Sequence, residues 1–190
     1  MALFTSEYLK KKSNETLITE SKIFFSSQDK SNLKFDIFLS HCYLDKNEVF
    51  GLYQELKSMG FSVYVDWIVD SDLDRNNVTK TTAELIRNRM KNSKSLLLAI
   101  SSNAAMSKWM PWELGYVDGN TRRCAILPVA KDNINSYSFN RVEYLKLYPY
   151  LDRATLKDTQ NYKIWVNEDE NTYVQFDEWM NGSNPRKRTI

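Results

Sequence analysis

The chain is 190 residues long, 42% hydrophobic and 13% aromatic, with a formal net charge of +2. Such a length and composition predict one sizeable globular domain with its own core, leave room for an appended segment, and exclude a disordered chain. The near-balance of charge excludes a broad basic face for nucleic acid, and no stretch approaches the roughly 20 apolar residues that a membrane-spanning helix requires.

Two cysteines, Cys42 and Cys124, make neither a disulfide framework nor a metal site. With His41 the single histidine, zinc catalysis and Ser-His-Asp chemistry lack most of their parts unless His41 itself serves. The first residues carry no secretory hydrophobic region, so a reducing, cytoplasmic setting is expected.

In chain order, residues 1–33 read as an extension. Leu3, Phe4, Tyr8, Leu17 and Ile18 lie among lysines and polar residues, the pattern of short amphipathic helices packed on a domain, and residues 26–32 read as a linker. Residues 35–40 are an apolar run typical of a buried parallel strand. After the turn at residues 41–45, Val49, Leu52, Tyr53, Leu56 and Met59 recur at helical spacing, and Gly60 supplies the stop. Residues 61–67 alternate and predict a second strand, which completes a right-handed βαβ unit. The loop over 68–78 is acidic and too long for a simple turn, as lids and binding loops are, and it lacks the glycine and terminal glutamate of a calcium-binding EF-hand.

A helix then starts near Thr81, where Thr81-x-x-Glu84 fits a capping box, with Leu85, Ile86 and Met90 facing inward. Residues 95–101 form a nearly uniform apolar strand for the middle of the sheet, residues 107–115 open a helix with Pro111 in its first turn, and residues 125–129 form the fourth strand. A fifth strand is expected within residues 144–151. Residues 162–166 and 172–176 flank a polar turn, as in a hairpin, and the basic run 186–188 reads as a solvated tail. The division is an extension over 1–33, a core domain over 34–151, and a hairpin with its tail over 152–190.

Alternating strands and helices predict an α/β protein, an open sheet covered on both faces, whose ligands gather at the carboxyl ends of the strands. That rim collects Ser40, His41 and Tyr43 after the first strand, Asp66 and Trp67 after the second, Ser101 and Ser102 after the third, and Glu84 at the start of a helix. Neither a dinucleotide-type glycine motif nor a P-loop is present, and no G-x-S-x-G elbow occurs.

These residues carry a resemblance. The run Phe35 to His41 resembles the first-strand box of Toll/interleukin-1 receptor (TIR) domains, the loop over 68–78 is similar to their BB loop, and Ser107-Lys108-Trp109-Met110-Pro111-Trp112-Glu113-Leu114 resembles their Ser-x-Trp-x-x-x-Glu box. The likeness runs over about residues 34–130 and points to the free-standing bacterial branch that includes Thoeris-type antiphage proteins. It implies a flavodoxin-like sheet of order 2-1-3-4-5 with helices on both faces. It also implies cleavage of NAD+ by a single glutamate on the helix after the BB loop, and Glu84 is the sole acidic residue between Thr79 and Ser93.

One carboxylate is enough for that chemistry. Nicotinamide leaves NAD+ as a neutral molecule from a cationic ground state, so the acid that most glycosidases need is dispensable, and an ionised Glu84 can stabilise positive charge developing at the anomeric carbon. Water capture gives ADP-ribose, and capture by the adenine or a ribose hydroxyl gives a cyclic product.

Around Glu84, Ser40, His41, Tyr43, Trp67 and Arg75 are the candidate substrate-binding residues. Each has a plainer reading: Trp67 as core, His41 as a turn former, Arg75 as a surface charge. Trp109 and Trp112 read as helix anchors, Glu113 as a structural hydrogen-bonding partner, and Asp66 as a holder of the lid loop. No metal and no cofactor is expected, NAD+ being the substrate. The resemblance further implies a homo-oligomer through TIR–TIR contacts and an effector that recognises the nucleotide product. Two other readings stay open: a non-enzymatic TIR scaffold acting by self-association, and a nucleoside-transferase-like enzyme with a rim glutamate.

Overall fold

A computed structural model describes residues 2–26, 29–30, 32–73, 79–131, 143–156, 159 and 161–188. At its centre lies β2 (Phe35–Ser40), flanked by the edge strand β3 (Val63–Tyr64) and by β4 (Ser93–Ile100), then β5 (Cys124–Ala130) and β6 (Tyr150–Thr155), each parallel to its neighbour. Numbered from the Phe35 strand, this is the order 2-1-3-4-5. The apolar runs explain the arrangement: Leu96, Leu97, Ala125, Ile126 and Leu127 are all fully buried, as strands covered on both faces must be. Right-handed crossovers that reverse direction put helices on opposite faces. Thus α3 (Lys46–Ser58), which leads from β2 out to β3, lies on one face, and α5 (Lys80–Lys91) and α6 (Met110–Asn120) lie on the other.

The carboxyl-terminal part extends this sheet. Strand β7 (Tyr162–Asn167) runs antiparallel to β6 and forms the expected hairpin with β8 (Thr172–Gln175). Phe176 leaves the hairpin to start α7 (Phe176–Met180), and the basic run, read as a solvated tail, instead supplies β9 (Arg186–Lys187), which pairs with β8 while both side chains stay exposed.

The amino-terminal extension holds its helices and also a strand. In β1 (Phe4–Thr5), Phe4 and Thr5 pair with Val129 and Ala130 at the end of β5, whereas β6 pairs with β5 only at Ile126. Ala2 bridges Arg153 of β6 through two backbone hydrogen bonds of 3.0 Å. The extension therefore fills the gap where β5 and β6 part. Thr5 caps α1 (Ser6–Lys12), which buries Leu9 against α3, and α2 (Glu15–Ser26) packs on the single turn α4 (Asp66–Val69). Gly51 of α3 is required by this contact, because a Cβ there would lie 2.1 Å from the Leu9 carbonyl oxygen.

Two expectations shift. The second strand stops at Tyr64, and residues 66–69 turn into α4 to seat Trp67, Ile68 and Val69 in the core. A two-residue edge pairing leaves the chain free to turn, and an apolar run alone does not separate strand from helix. The fifth strand begins at Tyr150, after a 3-10 turn over Glu143–Leu147 in which Leu145 points inward and Leu147 outward. Residues 27, 28 and 31 of the expected 26–32 linker and residues 74–78 of the acidic loop, Arg75 included, lie outside the described residues.

Candidate active site

The rim is built where β2, β3 and β4 end. Ser40 closes β2 and its hydroxyl donates to Glu113 Oε2 at 2.6 Å, both groups being almost wholly buried. The first-strand box and the helical box of α6 are thereby tied together beneath the rim. Next in the chain, His41 Nδ1 lies 2.9 Å from the Leu39 carbonyl and His41 Nε2 lies 3.0 Å from the Trp67 indole nitrogen. An indole N–H only donates, so Nε2 is the acceptor and the ring proton sits on Nδ1, donated to Leu39. Asp66 Oδ1 stands 3.4 Å from the same Nε2.

Trp67 is 9% exposed, packed against Phe50 with Lys22 and Lys46 over its ring. Ser40, His41 and Trp67 thus have their polar groups engaged with protein partners and shape the rim from below. Tyr43 differs: it is 66% exposed and lies open on the rim beside Lys46.

The helix carrying Glu84 starts earlier than its sequence suggests. Thr79 is its cap, with the Thr79 hydroxyl accepting from the Thr82 backbone N–H at 3.1 Å. The Thr81–Glu84 box does not form, because two Thr-x-x pairs compete for the cap and the chain selects the earlier one. Glu84 falls one turn further in, exposed and outside the cap. With Thr82, Ile86, Arg89 and Met90 buried, the 3.6-residue period sets Glu84 on the opposite, outward face.

Asp70 and Arg89 anchor the helix and the lid loop. The Arg89 guanidinium donates to both Asp70 carboxylate oxygens, at 2.8 and 2.9 Å, and Tyr64 adds its hydroxyl to Asp70 at 3.1 Å. Burial works against the Arg89 charge, but the paired Asp70 outweighs it and raises the guanidinium pKa. Sequence reasoning passed over this pair, since an arginine among polar helix residues looks solvated and only the acidic loop hinted at a partner.

A cavity of about 460 Å³ opens on the same rim. It lies where the strand order reverses, between Asp45 and Glu48 after β2 and Ser101, Ser102 and Asn103 after β4. The end of β5 adds Val129 and Lys131, and α1 covers one side with Ser6, Glu7 and Lys10. Neither Glu84 nor Trp67 lines it. Among the described residues no group of three or more metal-ligating side chains occurs. Burial, helped by Asp118, pushes the Cys124 thiol up to about 12, which deprives it of nucleophilic character.

The sequence profile of the TIR domain family matches residues 37–164. The chain belongs to the TIR domain family. It is similar to the Bacillus cereus (strain MSX-D12) protein named probable 3′ cyclic ADP-D-ribose synthase ThsB′, with 46% identity over 156 residues, 82% of this chain and 80% of that one. It is 30% identical over 129 residues to TIR2 of Cytobacillus dafuensis, provisionally named a cyclic ADP-D-ribose synthase, a match spanning 59% of this chain and 34% of that relative. Among solved structures, the TIR domain of the Toll-related receptor TRR-2 from Hydra magnipapillata matches with a TM-score of 0.41 and 19% identity, over 58% of this chain and 77% of that one. The family match begins two residues into β2 and ends inside β7, so the extension with β1, α1 and α2 lies outside it.

Proposed function

We propose that this TIR protein cleaves the nicotinamide–ribose bond of NAD+ and closes the ADP-ribosyl group into a cyclic ADP-ribose-type signal in bacterial antiphage defence. The likeness to the B. cereus synthase carries the reading, because it covers four-fifths of both chains. The 3′ designation of that relative supports capture by a ribose hydroxyl rather than by the adenine. In the reaction the C–N bond breaks with its electrons going to nicotinamide, which departs neutral. The Glu84 carboxylate faces the positive charge left at the anomeric carbon, a ribose oxygen closes on that carbon, and its proton passes to the carboxylate or to water.

The exposure of Glu84 has a consequence for assembly. A carboxylate on the outward face of a helix is not screened from water by its own domain, and a cyclase must keep water from the anomeric carbon. A second copy of the chain is the cover we favour, so the protein works as a homo-oligomer, and an effector that binds the cyclic product acts downstream. Tyr43, open on the rim, and Arg75 of the lid loop are the groups we assign to the substrate, with Ser40, His41 and Trp67 holding the rim in shape. Among the described residues no helix is long and apolar enough to cross a membrane. A nucleotide signal made from NAD+ supports a cytoplasmic setting.

The test is incubation of the purified protein with NAD+, following nicotinamide release and the product by mass, for wild type and Glu84→Gln. Release that disappears in the variant supports the enzyme. Absence of release at every protein concentration, including those at which the chain assembles, leaves a non-enzymatic docking module instead.

A further inference from the structure

The cavity at the strand reversal is unused by the reaction above. We infer that it is a second ligand site and that it takes a phosphorylated ribose. Its floor is Asp45, 5% exposed, whose carboxylate accepts from the Ser101 hydroxyl and, at 2.7 Å, from the Asn103 amide. Its wall is Glu48, which accepts from the Ser6 hydroxyl at 2.7 Å and pairs with Lys10 at 3.0 Å. Among the described residues the Ser102 hydroxyl and the Lys131 ammonium, both lining the cavity, have no hydrogen-bond or ion-pair partner.

The lining selects the ligand. Carboxylates, hydroxyls and an amide offer acceptors and donors side by side, which suits sugar hydroxyls because these do both. Lys131 brings positive charge to the same opening, where Lys10 is held by Glu48 at 3.0 Å, and the Lys131 ammonium suits a phosphate. Among the described residues Val129 is the sole apolar one in the lining and no aromatic side chain contributes, so these residues offer a base nothing to stack on. Recognition therefore falls on the sugar and its phosphate. The volume of about 460 Å³ lies within the range of small-molecule sites.

Such a ligand bridges two parts of the chain. Ser6, Glu7 and Lys10 belong to α1, outside the family match, while the remaining lining belongs to the TIR core. A molecule that binds only the docked form stabilises docking by mass action. The seating of the extension thus responds to ribosyl phosphates.

The experiment titrates the full chain with ribose 5-phosphate, with ribose and inorganic phosphate as separate arms, read by amide chemical shifts and by hydrogen exchange. Saturable shifts at residues 101–103 and slower exchange over residues 4–12 are expected with ribose 5-phosphate. Lys131→Ala should weaken binding about 10-fold, the loss of one charge-assisted contact. Glu84→Gln should bind the probe as wild type does, whatever its effect on NAD+ cleavage. The inference fails if shifts do not saturate, if inorganic phosphate binds as tightly as ribose 5-phosphate, or if Glu84→Gln abolishes binding, which would place the probe in the catalytic site.

Discussion

The Ser40 hydroxyl and the Glu113 carboxylate, 73 residues apart in the chain, meet at 2.6 Å with Glu113 fully buried. A buried carboxylate deprived of a donor keeps its desolvation cost, so Ser40→Ala should lower stability by about 1–3 kcal/mol. Chemical denaturation of the variant measures this. A midpoint unchanged from wild type would show that the pair does not clamp β2 to α6.

Glu84 and Thr79 share one helix but have separable roles. Glu84→Gln should remove nicotinamide release while shifting stability by no more than about 0.5 kcal/mol, as for an exposed residue with no partner among the described residues. Thr79→Ala should cost about 1 kcal/mol as a lost cap, while the protein keeps releasing nicotinamide. If Glu84→Gln unfolds the protein, the carboxylate is structural after all.

Gly51 faces the Leu9 carbonyl with no room for a methyl group. Gly51→Ala must push α1 off α3 or strain both, at about 1–3 kcal/mol for overpacking. Hydrogen exchange should then speed up over residues 4–12 and leave β4 and β5 protected. Unchanged exchange in the extension would mean that it is not held through this contact.

Asp36 predicts an acid dependence. Burial pushes its carboxyl up, but hydrogen bonds from Lys94 and from the Ser62 backbone and hydroxyl outweigh that and hold it below its ordinary value of 3.8. A lowered folded value means the contribution is complete above the ordinary value and disappears as pH falls through the folded one. Asp36→Asn should therefore be less stable at neutral pH and lose less stability than wild type on acidification below about pH 4. Parallel acid limbs for the two proteins in urea melts would remove Asp36 from the account.

Much of this protein was legible in its residues because burial leaves a local trace. The uniform apolar runs of β2, β4 and β5, the helical spacing of Val49 to Met59 and the polar turn at 167–171 each state their own element. The three boxes named the family, and the acid count between Thr79 and Ser93 singled out Glu84. Other features depend on partners distant in the chain and leave no such trace. The choice of Thr79 over Thr81 as the cap, the turn at Asp66, the insertion of Phe4 and Thr5 beside β5, and the burial of Asp45 and Arg89 were all decided by what the folded core had left to satisfy. A sequence records which side chains want to leave water, and only the assembled structure determines which polar groups must meet once they do.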